Sequence, residues 1–360
     1  MLLTSLAATA LFLAFSNGAN DNFKGFATVW GSASLSYRTA LILANAATLA
    51  GGIVSIILAD GLIKQFSGRG LVEEAVAASG SFALAVAGGS GITVALATRL
   101  GFPISTTHAI MGGLIGSALS SGQTIAFDHL GTAFILPLLS SPIIAAILGY
   151  AAYRSSPIIN AQNDCICIVE ATPSVSGAAL AKVVTAPIGI VGSAADCPAH
   201  GETIARFSAS ALLDKVHVGS AITICFARAV NDTPKLAALM LGAGALSAWN
   251  SAFAVTAFMV AGGFLLSRRV AETMSLKLSD ISPVQGTAAN LVTSAVVLTA
   301  SAYSLPVSTT HVSVGSIIGS GKAADTLDLS TVRNVLLSWV VTLPVAIIGA
   351  AFVMQVIRHI

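Results

Sequence analysis

The sequence predicts an all-α polytopic membrane protein: two inverted repeats with re-entrant helical hairpins, about 10–12 membrane segments in all. Three observations predict it. First, the 360 residues are 55% hydrophobic and only 9% charged, where soluble domains carry roughly 25% charged residues; mean hydropathy is +0.88. Second, apolar runs at 39–58, 133–150 and 335–356 approach or exceed the roughly 20 residues that span a bilayer. They are continuous rather than alternating, which argues against a β-barrel. Third, Pro103-Ile104-Ser105-Thr106-Thr107-His108 is written again as Pro306-Val307-Ser308-Thr309-Thr310-His311.

The repeat extends beyond that hexapeptide. Asn20-Asp21-Asn22-Phe23-Lys24 matches Asn231-Asp232-Thr233-Pro234-Lys235, and Gly112 and Gly116 match Gly315 and Gly319. The order is the same in both halves, so the chain reads as a duplication. Residues 1–153 form the first membrane repeat, 154–212 a central extramembrane loop and 213–360 the second repeat. The first repeat's apolar segments fall near 2–15, 39–62, 82–97, 109–119 and 132–153. Those of the second fall near 216–227, 236–266, 284–303, 312–319 and 335–357. Segment 2–15 lacks a basic leader and runs directly into polar Asn17-Gly18-Ala19-Asn20-Asp21, so it reads as a first membrane helix rather than a cleaved signal.

Segments 109–119 and 312–319 are too short to cross. Each follows an apolar stretch and a break at Gly101-Phe102-Pro103 or Ser304-Leu305-Pro306. An apolar run, a proline and a short apolar run describe a re-entrant hairpin. Such backbone is tolerated at membrane depth only where it is buried in protein or lines a cavity. Paired interrupted segments at corresponding points of two halves point to a transporter binding site.

The chemistry at those tips follows from their residues. Pro103 disfavours helix before it, and Ser105 is a good N-cap for the helix after it. The first N–H groups of that helix lack intrahelical partners and carry the positive end of its dipole. With Ser105, Thr106, Thr107 and Ser308, Thr309, Thr310 around two such tips, a tetrahedral oxyanion can be held from two sides. The same hydroxyls also suit simple capping of a buried helix. His108 and His311 are candidates for orienting the tips, binding anion or carrying a proton.

Asp21 and Asp232 are carboxylates within membrane segments, costly there and functional by default. With Asn20 and Asn231 they offer oxygen ligands to a hard cation such as Na⁺, or a place for a proton. Lys24 and Lys235, three residues on, reach them if the stretch is helical. A buried ion pair holding two helices together would use the same residues. Arg99 and Arg228 either attract anion or snorkel to the interface.

The central loop carries Cys165, Cys167, Cys197 and His200, an irregularly spaced zinc candidate. The same thiols suit a disulfide in an oxidising compartment, or no pairing at all. Cys225 sits in an apolar run. The formal net charge of +2 and the absence of a basic block give no sign of nucleic acid.

These residues resemble a known family. Gly18-Ala19-Asn20-Asp21 is similar to the Gly-Ala-Asn-Asp signature of the PiT family of inorganic phosphate transporters, and the paired Pro-x-Ser-Thr-Thr-His tips resemble that family too. The resemblance implies a non-enzymatic, multi-pass transporter of the cell membrane that moves phosphate with Na⁺ or H⁺ and needs no other cofactor. Carried over by motif, Asn20, Asp21, Asn231 and Asp232 are its cation-coupling ligands. Ser105, Thr106, Thr107, Ser308, Thr309 and Thr310 hold phosphate. Expected partners are phosphate and the bilayer, and a homodimer is compatible. There are departures: the second signature reads Ala229-Val230-Asn231-Asp232, Asn22-Phe23-Lys24-Gly25 follows the first, and Thr48 stands where some members carry Glu. A sulfate or other oxyanion permease, an anion channel and an intramembrane Ser–His hydrolase remain alternatives. The buried aspartates speak against the channel, and the duplication speaks against a single catalytic centre.

Overall fold

A computed structural model describes residues 2–58, 60–156, 165–171, 187–193, 201–242, 244, 246–276 and 281–359. The chain begins with α1 (Leu2–Asp21), which breaks into a 3-10 turn (Lys24–Phe26) before α2 (Ala27–Gly31). There follow α3 (Tyr37–Leu58), α4 (Asp60–Phe66), α5 (Glu74–Ala77), α6 (Gly80–Leu100) and α7 (Thr106–Ser120). Helix α8 (Phe127–His129) runs through a π-helical turn (Leu130–Ile135) into α9 (Leu136–Arg154). A small sheet, β1 (Cys165–Ala171), β2 (Pro187–Gly192) and β3 (Gly201–Ser208), separates these from α10 (Ala209–Gly242). The chain then forms α11 (Ala248–Leu266), α12 (Arg268–Leu276), α13 (Pro283–Ala302), α14 (Thr309–Ala324) and α15 (Leu329–His359).

Seven helices among the described residues are long and apolar enough to cross a membrane. The chain is therefore a helical polytopic membrane protein that also carries one small three-stranded sheet among its described residues. Helices α7 and α14 have 15 and 16 residues, about 22–24 Å at 1.5 Å per residue, short of the roughly 30 Å hydrocarbon core. Their partners α6 and α13 have 21 and 20 residues, against the expected apolar segments 82–97 and 284–303. The apolar stretch 236–266 is also divided, because α10 continues through Pro234 and ends at Gly242, and the next crossing is α11.

The two hairpin turns share one backbone solution. At the end of α6, Gly101 takes φ +78° and Phe102 N donates to Ala97 O at 2.9 Å. At the end of α13, Ser304 takes φ 58° and Leu305 N donates to Ala300 O at 2.8 Å. Both are six-to-one helix-ending bonds. Glycine adopts the left-handed region freely at the first, whereas Ser304 holds it with strain at the second.

The sequence halves are interlaced. Helix α1 packs on α6 of its own half and on α11 of the other; α10 likewise packs on α13 and on α3. Helix α7 packs on α15, and α14 on α9. Glycines permit these crossings, as small residues do in membranes. A Cβ on Gly116 would stand 2.1 Å from Ile347 O in α15, and one on Gly319 would stand 2.0 Å from Ala146 O in α9.

In the insert, β1 lies between β2 and β3, antiparallel to both. Residues 154–212 are thus not only the loop expected but hold a three-stranded sheet. Its short alternating runs, Cys165-Ile166-Cys167-Ile168-Val169 and Ile188–Val191, have the period of half-buried strands. Cys165, Cys167 and Val169 turn inward together with Ile190. Cys167 is disulfide-bonded. That withdraws it from the zinc set and also overturns the reading of three unpaired loop thiols. Cys225 is a free thiol, whereas Cys197 and His200 lie outside the described residues. Among the described residues no three His, Cys, Asp or Glu side chains form a metal-binding group.

Candidate functional site between the two hairpin tips

The break after Asp21 places that carboxylate at the buried end of α1, beside the turn leading into α7. Asn20 secures the turn: its Nδ2 donates to Thr98 Oγ1 (2.9 Å) and Phe102 O (3.0 Å), and its Oδ1 accepts from Ile104 N (3.2 Å). In the second half Asn231 does the same work with different atoms. It accepts from Ser301 Oγ (3.1 Å) and donates to Val307 O (3.4 Å) and Asp232 Oδ1 (3.1 Å). Here the backbone differs between copies. Asn231 and Asp232 lie within continuous α10, while the first copy unwinds.

The two tips touch. Thr107 Oγ1 donates to Val307 O (3.2 Å) and Thr310 Oγ1 donates to Ile104 O (3.0 Å), so each tip's carbonyl is capped by the other's threonine. The lysines complete the cross. Lys24 Nζ pairs with Asp21 and donates to Ile104 O (2.8 Å) and Thr310 Oγ1 (2.9 Å). Lys235 Nζ pairs with Asp232 Oδ1 (3.3 Å) and donates to Val307 O (2.8 Å) and Thr107 Oγ1 (2.9 Å). Ser105 and Ser308 cap α7 and α14, accepting from His108 N (3.1 Å) and His311 N (3.2 Å). The capping expectation therefore describes the serines, and the threonines join the two halves. All of Asn20, Asp21, Lys24, Ser105, Thr106, Thr107, Asn231, Asp232, Lys235, Ser308, Thr309 and Thr310 are buried together.

One position breaks the symmetry. Four residues before each aspartate, one helical turn back on the same face, stand Asn17 and Arg228. Asn17 Nδ2 donates to Asp21 Oδ2 (3.0 Å) and Thr106 Oγ1 (2.8 Å). Arg228 donates to Thr309 Oγ1 (3.2 Å) and Thr309 O (3.4 Å), and its Nη1 stands 4.0 Å from Asp21 Oδ1. Arg228 is buried, and so belongs to the site rather than to the interface; Arg99 is exposed. Three cationic side chains thus face two carboxylates, leaving one positive charge in a place with little water to screen it. Asp232 Oδ2, Asn17 Oδ1 and Arg228 Nε are buried without hydrogen-bond partners among the described residues. Such groups are costly unless something polar meets them. Asn17 was missed as a contributor; its spacing to Asp21, equal to that of Arg228 to Asp232, was the available signal.

The histidines turn elsewhere. His108 and His311 meet edge to face with ring centroids 4.5 Å apart, and His311 stacks on Trp339 of α15 at 3.8 Å. No carboxylate hydrogen bonds to either ring appears among the described residues, so the geometry fits a packing and orienting role. Thr48 donates to Ala44 O within its own helix (2.9 Å) and brings no charge to the centre.

The profile of the phosphate transporter family matches residues 17–350, a span that includes all four motif segments. The chain is 28% identical to a Bacillus subtilis protein named "Probable low-affinity inorganic phosphate transporter", covering 95% of this chain and 93% of that one. It is 27% identical to inorganic phosphate transporter 2-1, chloroplastic, of Arabidopsis thaliana, over 94% of this chain and 70% of the relative. A solved structure described as the sodium-dependent phosphate transporter superposes with a TM-score of 0.76 at 18% identity, over 100% of this chain and 99% of that one, which shows a shared fold. By the match across nearly its whole length, and with the duplicated motifs assembled into one buried site, this chain belongs to the phosphate transporter family.

Proposed function

We propose that this chain takes up inorganic phosphate across the cell membrane by cation-coupled symport, with alternating access around the site between the hairpin tips of its two inverted repeats. One observation carries the reading: the duplicated hexapeptides and Asn-Asp motifs converge on one buried centre with a single excess positive charge. Ser105, Thr106, Thr107, Ser308, Thr309 and Thr310, with Arg228, are the phosphate-holding set. Asn20, Asp21, Asn231 and Asp232 form the charge-compensating set that links the anion to Na⁺ or H⁺.

The chemistry favours phosphate over sulfate. One net positive charge matches dihydrogen phosphate, a monoanion. Phosphate also carries O–H donors, which the Ile104 and Val307 carbonyls and the aspartate oxygens can accept. Sulfate is a dianion without donors, and a site built for a donor rejects an analogue lacking one. The tip threonines now satisfy one another; a bound phosphate takes over their hydroxyls. Closing and parting of the tips is then linked to loading.

The test is uptake of labelled phosphate into proteoliposomes, with sulfate as competitor, under imposed Na⁺ or pH gradients. Accumulation that a tenfold excess of sulfate leaves intact is expected. Uptake of labelled sulfate that a tenfold excess of phosphate leaves intact would establish the oxyanion alternative instead. A narrower expectation concerns Arg228. Arg228→Gln removes the excess charge and raises the phosphate KM at least tenfold, about 1.4 kcal/mol of binding. A KM within twofold of wild type, read in the same assay, would remove Arg228 from the binding set.

A further inference from the structure

Lys24 and Lys235 are held in the same way in both halves. An ammonium group has three donors, and here each meets three oxygens of three kinds. The first is a carboxylate, Asp21 Oδ1 or Asp232 Oδ1. The second is a peptide carbonyl from the same half, Ile104 O or Val307 O, at 2.8 Å in both copies. The third is a hydroxyl from the opposite tip, Thr310 Oγ1 or Thr107 Oγ1, at 2.9 Å in both copies. The two side chains are 0% and 1% exposed. Carboxylate, carbonyl and hydroxyl oxygens are the ligands by which proteins hold hard cations. In this chain a covalently attached cation stands among them twice.

We propose that Lys24 and Lys235 are built-in cations: each ammonium fills a three-oxygen seat fit for a monovalent metal ion, so the chain binds and moves phosphate without sodium. This rests on the transport reading above and narrows its coupling ion. A sodium ion cannot share either seat. The same oxygens already have an N–H directed at each, and a second positive charge at contact distance is repelled in a site that water does not screen. The compensating charge is part of the polypeptide and remains with it after phosphate leaves, so a sodium gradient supplies no work. Uphill uptake then draws on the proton gradient, the other ion in the symport reading.

The experiment uses the full chain in proteoliposomes, with labelled phosphate supplied in sodium medium or in choline medium of equal strength, with and without a pH gradient. Wild-type uptake in choline is expected to lie within twofold of that in sodium. Stimulation by sodium of fivefold or more overturns the built-in cations and leaves the transport reading standing. No uptake in any medium overturns both. Lys24→Ala and Lys235→Ala each open a seat. Both are expected to lose at least tenfold in choline and to recover in part when Na⁺ or methylammonium is added. Full activity in choline, or a loss that no monovalent cation relieves, counts against the proposal.

Discussion

Asp21→Asn abolishes concentrative phosphate uptake, by at least two orders of magnitude, and also lowers the stability of the purified protein. The reason is the number of groups that this one carboxylate holds. Oδ1 pairs with Lys24 and lies 4.0 Å from Arg228, while Oδ2 accepts from Asn17 (3.0 Å) and Thr106 (3.3 Å). Removing one partner of a buried ion pair costs about 3–5 kcal/mol, because the remaining charge stays buried and unpaired. Here two cations lose compensation together. Asp232→Asn also stops uptake but is expected to destabilise less. Asp232 holds one lysine through Oδ1, and its Oδ2 is already without a partner among the described residues. Uptake into proteoliposomes and thermal unfolding in detergent separate the two effects. Equal stability losses for the two variants would contradict this asymmetry, and wild-type accumulation by either would remove the aspartates from the mechanism.

The second large effect lies away from charge. Gly116→Val and Gly319→Val each place a Cβ about 2 Å from a backbone carbonyl of the crossing helix, Ile347 O or Ala146 O. Neither contact is the far end of a flexible side chain, so α7 must separate from α15, or α14 from α9. The loss is expected to exceed about 3 kcal/mol, at the upper end of overpacking, and to appear as little folded protein in size-exclusion profiles. Gly219→Ala is the control: nothing lies within 4 Å of its Cβ position in α10. Replacing a helical glycine there is expected to be neutral or to stabilise by about 0.5–1 kcal/mol. A Gly116→Val protein as stable as wild type would mean that the crossing tolerates separation.

The membrane class and the components of the site were legible because they rest on composition and on exact repetition. Asp21, Asp232 and the two hexapeptides are polar groups in apolar surroundings, and few structural explanations account for them twice. How the repeats fit together was not legible. In a soluble bundle the apolar stripe of a helix shows which face is buried. In a bilayer lipid is as apolar as a neighbouring helix, so hydrophobicity does not choose the partner. Gly112, Gly116, Gly315 and Gly319 were visible as matched glycines, but nothing in them says that each faces the last long helix of the opposite half. Arg228 was ambiguous for a related reason. Snorkelling and site-facing arginines have the same local sequence, and only the pairing of Asn17 with Arg228 across the duplication distinguishes them. In the insert, the strands were hidden because runs of only six to eight residues give a weak period-2 signal.

Interlacing also has a consequence for biosynthesis. Lys24 and its partner Thr310 are 286 residues apart. At about 5–20 residues per second, the ribosome needs on the order of tens of seconds to supply that partner. For the first part of this interval α1, α6 and α7 have been made, whereas Arg228 and α11 come later within it and α15 only after Thr310, so the groups that complete their charges and cover their glycine faces arrive last. The nascent first half therefore waits in or beside the translocon with an ion pair only partly enclosed and with helix faces that lipid fills poorly. Residence of this half-built assembly, and its protection from quality-control proteolysis, is set by how well Asp21, Lys24, Asn17 and Thr106 satisfy one another locally. Substitutions among these four change the yield of inserted protein as well as its transport.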